Sequence, residues 1–360
     1  MPFDGTDTHC GISRIILHHS GGFFFRFLIM PIILPELPIA ERIALDGIRV
    51  IREEEYLKHE GIQLIQENVA RHQDIRPLEI LILNLMPDKQ GTEEHFARML
   101  GHTPLQVRLS LLKTATYQST HESAEHMNRF YKTWDEIADQ QFDGMIITGS
   151  PIEFLEWNDV QYWKELCSIF DWAQQNVYSR LYLCWGAQAA LQHFYGIEKY
   201  LLPEKAFGIF PHTVRNWRHP LVEGLDDEFL VPVARNTAVR TEDVEKFPEL
   251  KILSESAQTG LHLIQHENER DTFIFNHPEY SANTLNGEYV RDLGKNPLNH
   301  IPYNYFPDND PSKKPVNRWR AHARIFYGNW LQQMYRGSPF DIREIASLSS
   351  EPVESAMMAL

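Results

Sequence analysis

The chain is poor in cysteine and in positive charge, and it has no long hydrophobic run. Only three of its 360 residues are cysteine. Cys10, Cys167 and Cys184 show no CxxC spacing and no metal-ligand pattern, and an odd count argues against a disulfide framework. A reducing, cytoplasmic setting is the expectation. Lys and Arg number 34 against 49 Asp and Glu, a formal net charge of −15. That balance excludes broad binding to a nucleic-acid backbone. An anionic ligand would need a local basic pocket or a helix N-terminus. No apolar run reaches the roughly 18 residues of a membrane span. Internal repeats and low-complexity linkers are missing too.

What remains is the composition of a globular protein, 43% hydrophobic and 23% charged. Residues 1–29 lack a basic leader and a clean small-residue cleavage site, so a secretory signal is not expected there. They read as a poorly ordered extension, residues 30–345 as one domain, and residues 346–360 as a frayed tail. "MPIILPELPIAERIALDGIRVI" is Pro-punctuated and is expected to drape over a core before a strand. The segment 52–76 is charged, with apolar residues near helical spacing, and reads as an exposed helix or an insertion.

The centre of the chain alternates strand and helix. Ile80 to Leu85 is a near-continuous apolar run, as in a parallel strand covered on both faces. "DKQGTEEHFARMLG" reads as a helix capped by Thr92 and stopped by Gly101. "LQVRLSLL" alternates as a second strand, and Met145 to Thr148 form a third. "DVQYWKELCSIFDWAQQNV" is an amphipathic helix with Cys167 on its apolar side, in the core. "RLYLCWGAQAAL" is strand, then helix. This order predicts an α/β fold with a doubly wound, mostly parallel sheet. "DTFIFNHPEY" continues the same domain, "NPLNHIPYNYFPDNDPSKKP" is a long loop, and "RWRAHARIFYGNWLQQMYR" is a closing helix.

Cys184 sits where its strand turns into its helix. Such a joint holds a side chain at the carboxyl end of the sheet, where open α/β sheets bind ligands. A helix N-terminus there stabilises a thiolate, and strand-turn-helix is the geometry of a nucleophile elbow. A buried packing cysteine is the plainer alternative. A nucleophile needs a base, and a base needs an orienter. "NHPEY" offers His277 and Glu279, two apart with Pro278 between them. Proline favours an extended backbone before it, so the two side chains would share a side.

"LNLMPDK", "FDGMIITGSP", "LCWGAQAAL", "HPEY" and "PYNYFPDNDP" occur in the order seen in homoserine O-acyltransferases of the homoserine transsuccinylase type. The chain resembles that family from about Met30 to Arg343. The resemblance implies a flavodoxin-like fold related to class I glutamine amidotransferases. It also implies acylation of homoserine from an acyl-coenzyme A, at the start of methionine biosynthesis. Cys184 then matches the nucleophile that becomes an acyl-thioester, His277 the general base and Glu279 its support. Lys89 matches a lysine implicated in catalysis, where an ammonium would stabilise an oxyanion. Lys205 and Arg291 match substrate-binding positions. A guanidinium such as that of Arg291 suits the acceptor carboxylate.

Two positions bear on the substrates. Glu153 falls where family members with glycine tend to take succinyl-coenzyme A and members with glutamate take acetyl-coenzyme A. A glutamate fills the space of a longer acyl chain and repels its carboxylate, so acetyl-coenzyme A is the expected donor. Ala234 replaces the serine of the family's usual Ser-Arg pair, with Arg235 retained. The lost hydroxyl removes one hydrogen bond, about 0.5–1.5 kcal/mol net. It leaves L-serine open as an acceptor beside L-homoserine. The expected partners are an acyl-coenzyme A and a small hydroxy amino acid, without nucleic acid, membrane, metal or permanently bound cofactor; a homodimer is left open.

Two other classes of function compete. Glutaminase elbows carry glycine two before the cysteine as well as two after, whereas Tyr182 stands two before and only Gly186 matches. A non-catalytic binding protein on the same scaffold would not need Cys184, His277, Glu279 and Lys89 together.

Overall fold

Residues Leu78 to Leu83 alternate between two apolar layers. Ile80 and Ile82 pack with Phe96, Met99, Tyr327 and Trp330. Leu81 and Leu83 pack with Ile169, Phe170, Ala187 and Leu191. A strand covered on both faces belongs in the middle of a parallel sheet, and the computed structural model places it there. It describes residues 76–116, 124–294 and 299–348, with two short strands upstream.

Among the described residues, twelve strands form one sheet. They are β1 (Ile32–Leu34), β2 (Leu64–Gln66), β3 (Leu78–Leu83), β4 (Val107–Leu112), β5 (Tyr131–Lys132), β6 (Phe142–Ile147), β7 (Val177–Leu183), β8 (Lys199–Val214), β9 (Glu228–Val239), β10 (Leu250–Ser256), β11 (Gly260–His266) and β12 (Asp271–Ile274). The spatial order is β2-β1-β4-β3-β6-β7-β12-β11-β10-β8-β9, with β5 beside β4. From β4 to β12 the neighbours are parallel. Numbered along the chain, β3, β4, β6, β7 and β12 take the order 2-1-3-4-5 of a flavodoxin-like sheet, as expected.

The helices that cover it are α1 (Lys89–Leu100), α2 (Trp163–Asn176), α3 (Trp185–Tyr195), α4 (Thr284–Asp292) and α5 (Arg320–Gly337). On one face lie α2 and α3, through Leu166, Ile169, Ala187 and Leu191. On the other lie α1 and α5, through Phe96, Leu100, Trp330 and Met334. A buried ion pair joins the central strands β7 and β12. Arg180 donates to both oxygens of Asp271 at 2.7 Å, and Tyr182 adds a bond at 3.2 Å.

Four details correct the sequence reading. Helix α1 is capped by Asp88, whose carboxylate accepts from the Gly91 N–H at 3.0 Å. Thr92 instead donates to the Asp88 carbonyl, because it already lies inside the first turn. Cys167 is half-buried beside the core, not within it. Ile32–Leu34 does not merely drape, and Leu64–Gln66 is no helix; they pair in parallel, β1 against β4 and β2 at the edge of the sheet. Beyond β12 the sheet turns antiparallel through β11, β10, β8 and β9, which the strand-helix alternation did not predict. The extension 1–29, the remainder of segment 52–76 apart from residue 76, and the tail beyond residue 348 lie outside the described residues.

Candidate active site

The carboxyl ends of β6, β7 and β12 meet at Cys184. This residue caps α3 with φ 50° and ψ −117°. A non-glycine residue in the left-handed region costs about 1–3 kcal/mol and tends to be retained at functional positions. Its amide donates to the Ile274 carbonyl at 2.7 Å, and its carbonyl accepts from Ala187 and Gln188 at 3.1 and 3.2 Å. The elbow is therefore held by the sheet on one side and the helix on the other. Two residues on, a Cβ at Gly186 would lie 2.6 Å from the Thr148 carbonyl. Only glycine lets α3 begin that close to the end of β6. Gly149 faces the nucleophile itself; a Cβ there would lie 3.1 Å from the Cys184 Cβ.

His277 follows β12, and the structure brings it to Cys184 as the sequence reading expected. Its Nδ1 meets Glu279 Oε1 at 2.7 Å, which leaves the other ring nitrogen uncommitted, and the imidazole interacts electrostatically with Cys184. The backbone amide of His277 donates to the Pro232 carbonyl at 2.9 Å. Tyr280 stacks on the imidazole at 4.2 Å and 13°. Burial disfavours a charged imidazole here, but Glu279 and Cys184 outweigh it and hold the His277 pKa well above its ordinary value. His95, across Tyr280 at 5.5 Å, goes the other way. Burial, helped by Arg98 and His277, lowers it to about 3.

The other expected residues fall in different places. Glu153 is buried, and Asn236 binds both its oxygens, through the backbone N–H at 3.2 Å and the side-chain amide at 2.6 Å. Burial raises the Glu153 pKa against those bonds and against the pull of Lys205 and His277. Lys205 pairs with Glu288 at 3.2 Å, and Glu288 also accepts from the Tyr280 hydroxyl at 3.1 Å. Arg291 lies in the same cavity wall as His277 and Glu279, with Nε and one terminal nitrogen on Asp292 at 2.8 and 3.0 Å.

Arg235 and Lys89 are buried in the framework. Arg235 donates to Asn276 Oδ1 at 3.2 Å, to the Thr237 carbonyl at 3.0 Å and to the Thr259 carbonyl. Burial lowers its pKa, opposed by Cys184, Tyr200 and Glu153. It is a buried cation that interacts electrostatically with Cys184. Lys89 sends its ammonium to the Asn84 carbonyl at 2.6 Å and stands outside the wall of the cavity that holds His277. Ala234 packs with the apolar cluster that contains Tyr280.

Three contributors were not read from the sequence: Gly149, Asn236 and Tyr280. The first had a local signal, a glycine directly after the buried strand in "MIITGSP". Asn236 and Tyr280 act through contacts that spacing along the chain does not reveal.

A thiol on an elbow, an imidazole interacting with it and a carboxylate bonded to the imidazole can carry out nucleophilic acyl transfer. The comparisons place the chain among acyltransferases. The family model for homoserine O-succinyltransferase matches residues 48–340, and the chain belongs to that family, one of acyltransferase enzymes. It is 49% identical over 302 residues to the homoserine O-acetyltransferase of a Synechococcus species, covering 84% of this chain and 97% of that one. It is 49% identical over 292 residues to the homoserine O-acetyltransferase of Acetivibrio thermocellus, covering 81% and 96%. Among solved structures, a glutamine amidotransferase from Thermotoga maritima matches with a TM-score of 0.47 and 11% identity, covering 72% of this chain and 97% of that one. No helix among the described residues is long and apolar enough to cross a membrane.

Proposed function

We propose that this chain moves an acetyl group from acetyl-coenzyme A to the hydroxyl of L-homoserine, forming O-acetyl-L-homoserine for methionine synthesis. The observation that carries this reading is the buried Glu279–His277–Cys184 relay, in a chain nearly half identical to homoserine O-acetyltransferases.

The Cys184 sulfur attacks the thioester carbonyl of the donor. The tetrahedral oxyanion takes a hydrogen bond from the Trp185 N–H, at the start of α3, where the first amides have no intrahelical acceptor. Gly149 leaves the acyl group room beside the sulfur. Coenzyme A leaves with a proton from His277, and an acetyl-thioester remains on Cys184. Homoserine then enters, and His277 takes its hydroxyl proton as the oxygen attacks the acetyl carbonyl. Expulsion of the Cys184 sulfur gives the ester and restores the enzyme. Glu279 keeps the imidazole oriented and supports its charge in both halves. Lys89 braces the end of β3 through Asn84 in this scheme, rather than touching the oxyanion.

Glu153 sets the donor. Asn236 holds its carboxylate in place, so a succinyl chain meets a side chain where an acetyl group ends. Arg291 in the cavity wall receives the acceptor carboxylate through the nitrogen that Asp292 does not use. Ala234 offers no hydroxyl beside Tyr280, and the amino group or hydroxyl of the acceptor is recognised elsewhere. Purified protein given acetyl- or succinyl-coenzyme A with L-homoserine or L-serine tests the assignment by product mass. O-acetylhomoserine as the dominant product supports it, and O-acetylserine or O-succinylhomoserine in its place overturns it.

A further inference from the structure

Two cavities meet at the Lys205–Glu288 ion pair. The smaller, about 500 Å³, has Glu288, His277 and Glu279 in its wall. The larger, about 970 Å³, has Lys205 in its wall. Cavities of a few hundred Å³ hold ligands of modest size. The smaller one suits an amino acid and an acetyl group, and leaves no room for a nucleotide as well. The acyl transfer described above uses no residue of the larger cavity.

The larger cavity is built by two irregular segments. Pairing of β8 with β9 breaks between Leu201 and Ala206, and the residues released there form one wall. The other wall is the loop that carries "PYNYFPDNDP", the family motif with no role in the relay. Tyr303 of this loop is stitched onto β8, its N–H to the Phe207 carbonyl at 2.9 Å and its carbonyl to the Ile209 N–H at 2.8 Å. The stitch needs Gly208, whose φ is 143° and whose Cβ would lie 2.3 Å from the Tyr303 carbonyl oxygen. His300 ties the same loop to the Lys205 carbonyl at 3.1 Å.

These contacts present a stacking surface and a cation. Tyr303 is half exposed and stacked on Phe210 at 5.0 Å and 21°. The guanidinium of Arg240 lies 4.5 Å over the Tyr200 ring and has no carboxylate partner among the described residues. In a chain of net charge −15, an arginine with no carboxylate partner over a half-buried tyrosine is a local exception. Stacked base and guanidinium-bound phosphate is the chemistry of nucleotide recognition. One residue of the cavity wall also touches the surroundings of the nucleophile. Thr259 in that wall accepts from Arg235, the buried cation that interacts with Cys184.

We propose that the larger cavity binds the phosphorylated adenosine end of the acyl donor, with the base on Tyr303, the phosphates at Arg240 and the thioester arm passing Lys205 to Cys184. This rests on the reading that the donor is an acyl-coenzyme A. Two assays separate the two claims. In the first, kcat/KM is measured for acetyl-coenzyme A and for S-acetyl-N-acetylcysteamine, which carries no nucleotide. Arg240→Ala and Tyr303→Ala should each lower the ratio of the two by about tenfold; an unchanged ratio overturns the site. In the second, adenosine 3′,5′-bisphosphate is titrated into the protein by calorimetry. The expected result is binding that Arg240→Ala weakens by about tenfold, and equal affinity in both proteins overturns the site. If the wild type does not acetylate homoserine yet binds the bisphosphate through Arg240, the functional reading fails and the nucleotide site stands.

Discussion

Asn236 grips both carboxylate oxygens of Glu153, at 3.2 Å with its backbone N–H and 2.6 Å with its side chain. The two residues are 83 apart in the chain, and the grip turns a flexible glutamate into a fixed wall. Lys199 fixes the loop beneath it through the Glu153 and Leu155 carbonyls, at 2.8 and 2.7 Å.

That wall makes donor choice a property of the pair. Glu153→Gly should raise the kcat/KM ratio of succinyl- to acetyl-coenzyme A by about tenfold or more. Asn236→Ala should move the ratio the same way by less, and should add nothing once Glu153 is glycine. Steady-state kinetics of the two single variants and the double variant check this. A ratio unmoved by Glu153→Gly would remove the residue from donor selection.

The His277 pKa is set by opposing effects, which gives the pH dependence a sign. Burial lowers it, while Glu279 and Cys184 raise it to well above 6.5. Glu279→Gln removes one of the two raising charges and leaves burial in place. The pKa on the kcat/KM profile that belongs to His277 should therefore shift to lower pH. The same linkage acts on stability. A raised pKa contributes stability that is full below the unfolded value near 6.5 and is lost as pH rises through the folded one. Denaturant titrations of wild type and Glu279→Gln across that range should diverge most at the acid end. Parallel profiles would contradict the assignment.

The Arg180–Asp271 pair is structural, and its loss should be severe. Burial raises the Asp271 pKa but Arg180 outweighs it and the net shift is downward. The pair thus adds stability above the unfolded value near 3.8 and loses it as pH falls through the folded one. Asp271→Ala strands a buried guanidinium and should cost about 3–5 kcal/mol, read by urea denaturation at neutral pH. A loss under about 1 kcal/mol would mean that the pair is open to water.

Cys167 provides an internal control for thiol chemistry. Burial, with Asp171 adding to it, pushes its pKa up to about 12, so it stays a thiol at neutral pH. Iodoacetamide at pH 7 should alkylate Cys184 well ahead of Cys167, as read by peptide mapping. Equal labelling would remove the distinction between a reactive and a packing cysteine.

The parallel half of the fold was legible because its signals are local. Ile80 and Leu81 face opposite apolar layers, and Cys184 marks the passage from apolar strand to helix. His277 and Glu279 were legible for the same reason, since Pro278 sets their common side. The antiparallel strands β8 to β11 were not, because strands such as β8 carry exposed residues at irregular intervals and a break after Leu201. The Asn236–Glu153 grip joins strand β9 to a loop that no periodicity relates to it. Thr92 was mistaken for a cap because Asp88, four residues earlier, had equal claim and took the role. Lys89 was legible as a motif residue, but its burial against Asn84 depends on how the end of β3 folds back.

The central claim is that Cys184 carries the acyl group between donor and acceptor. Protein mixed with acetyl-coenzyme A alone, quenched rapidly and digested, should show one acetyl group, about 42 Da, on the peptide containing Cys184. The label should disappear when homoserine is added before the quench, and Cys184→Ala should never acquire it. An enzyme that turns over fully while this peptide stays unmodified at every quench time would contradict the claim and point to direct transfer between the bound substrates.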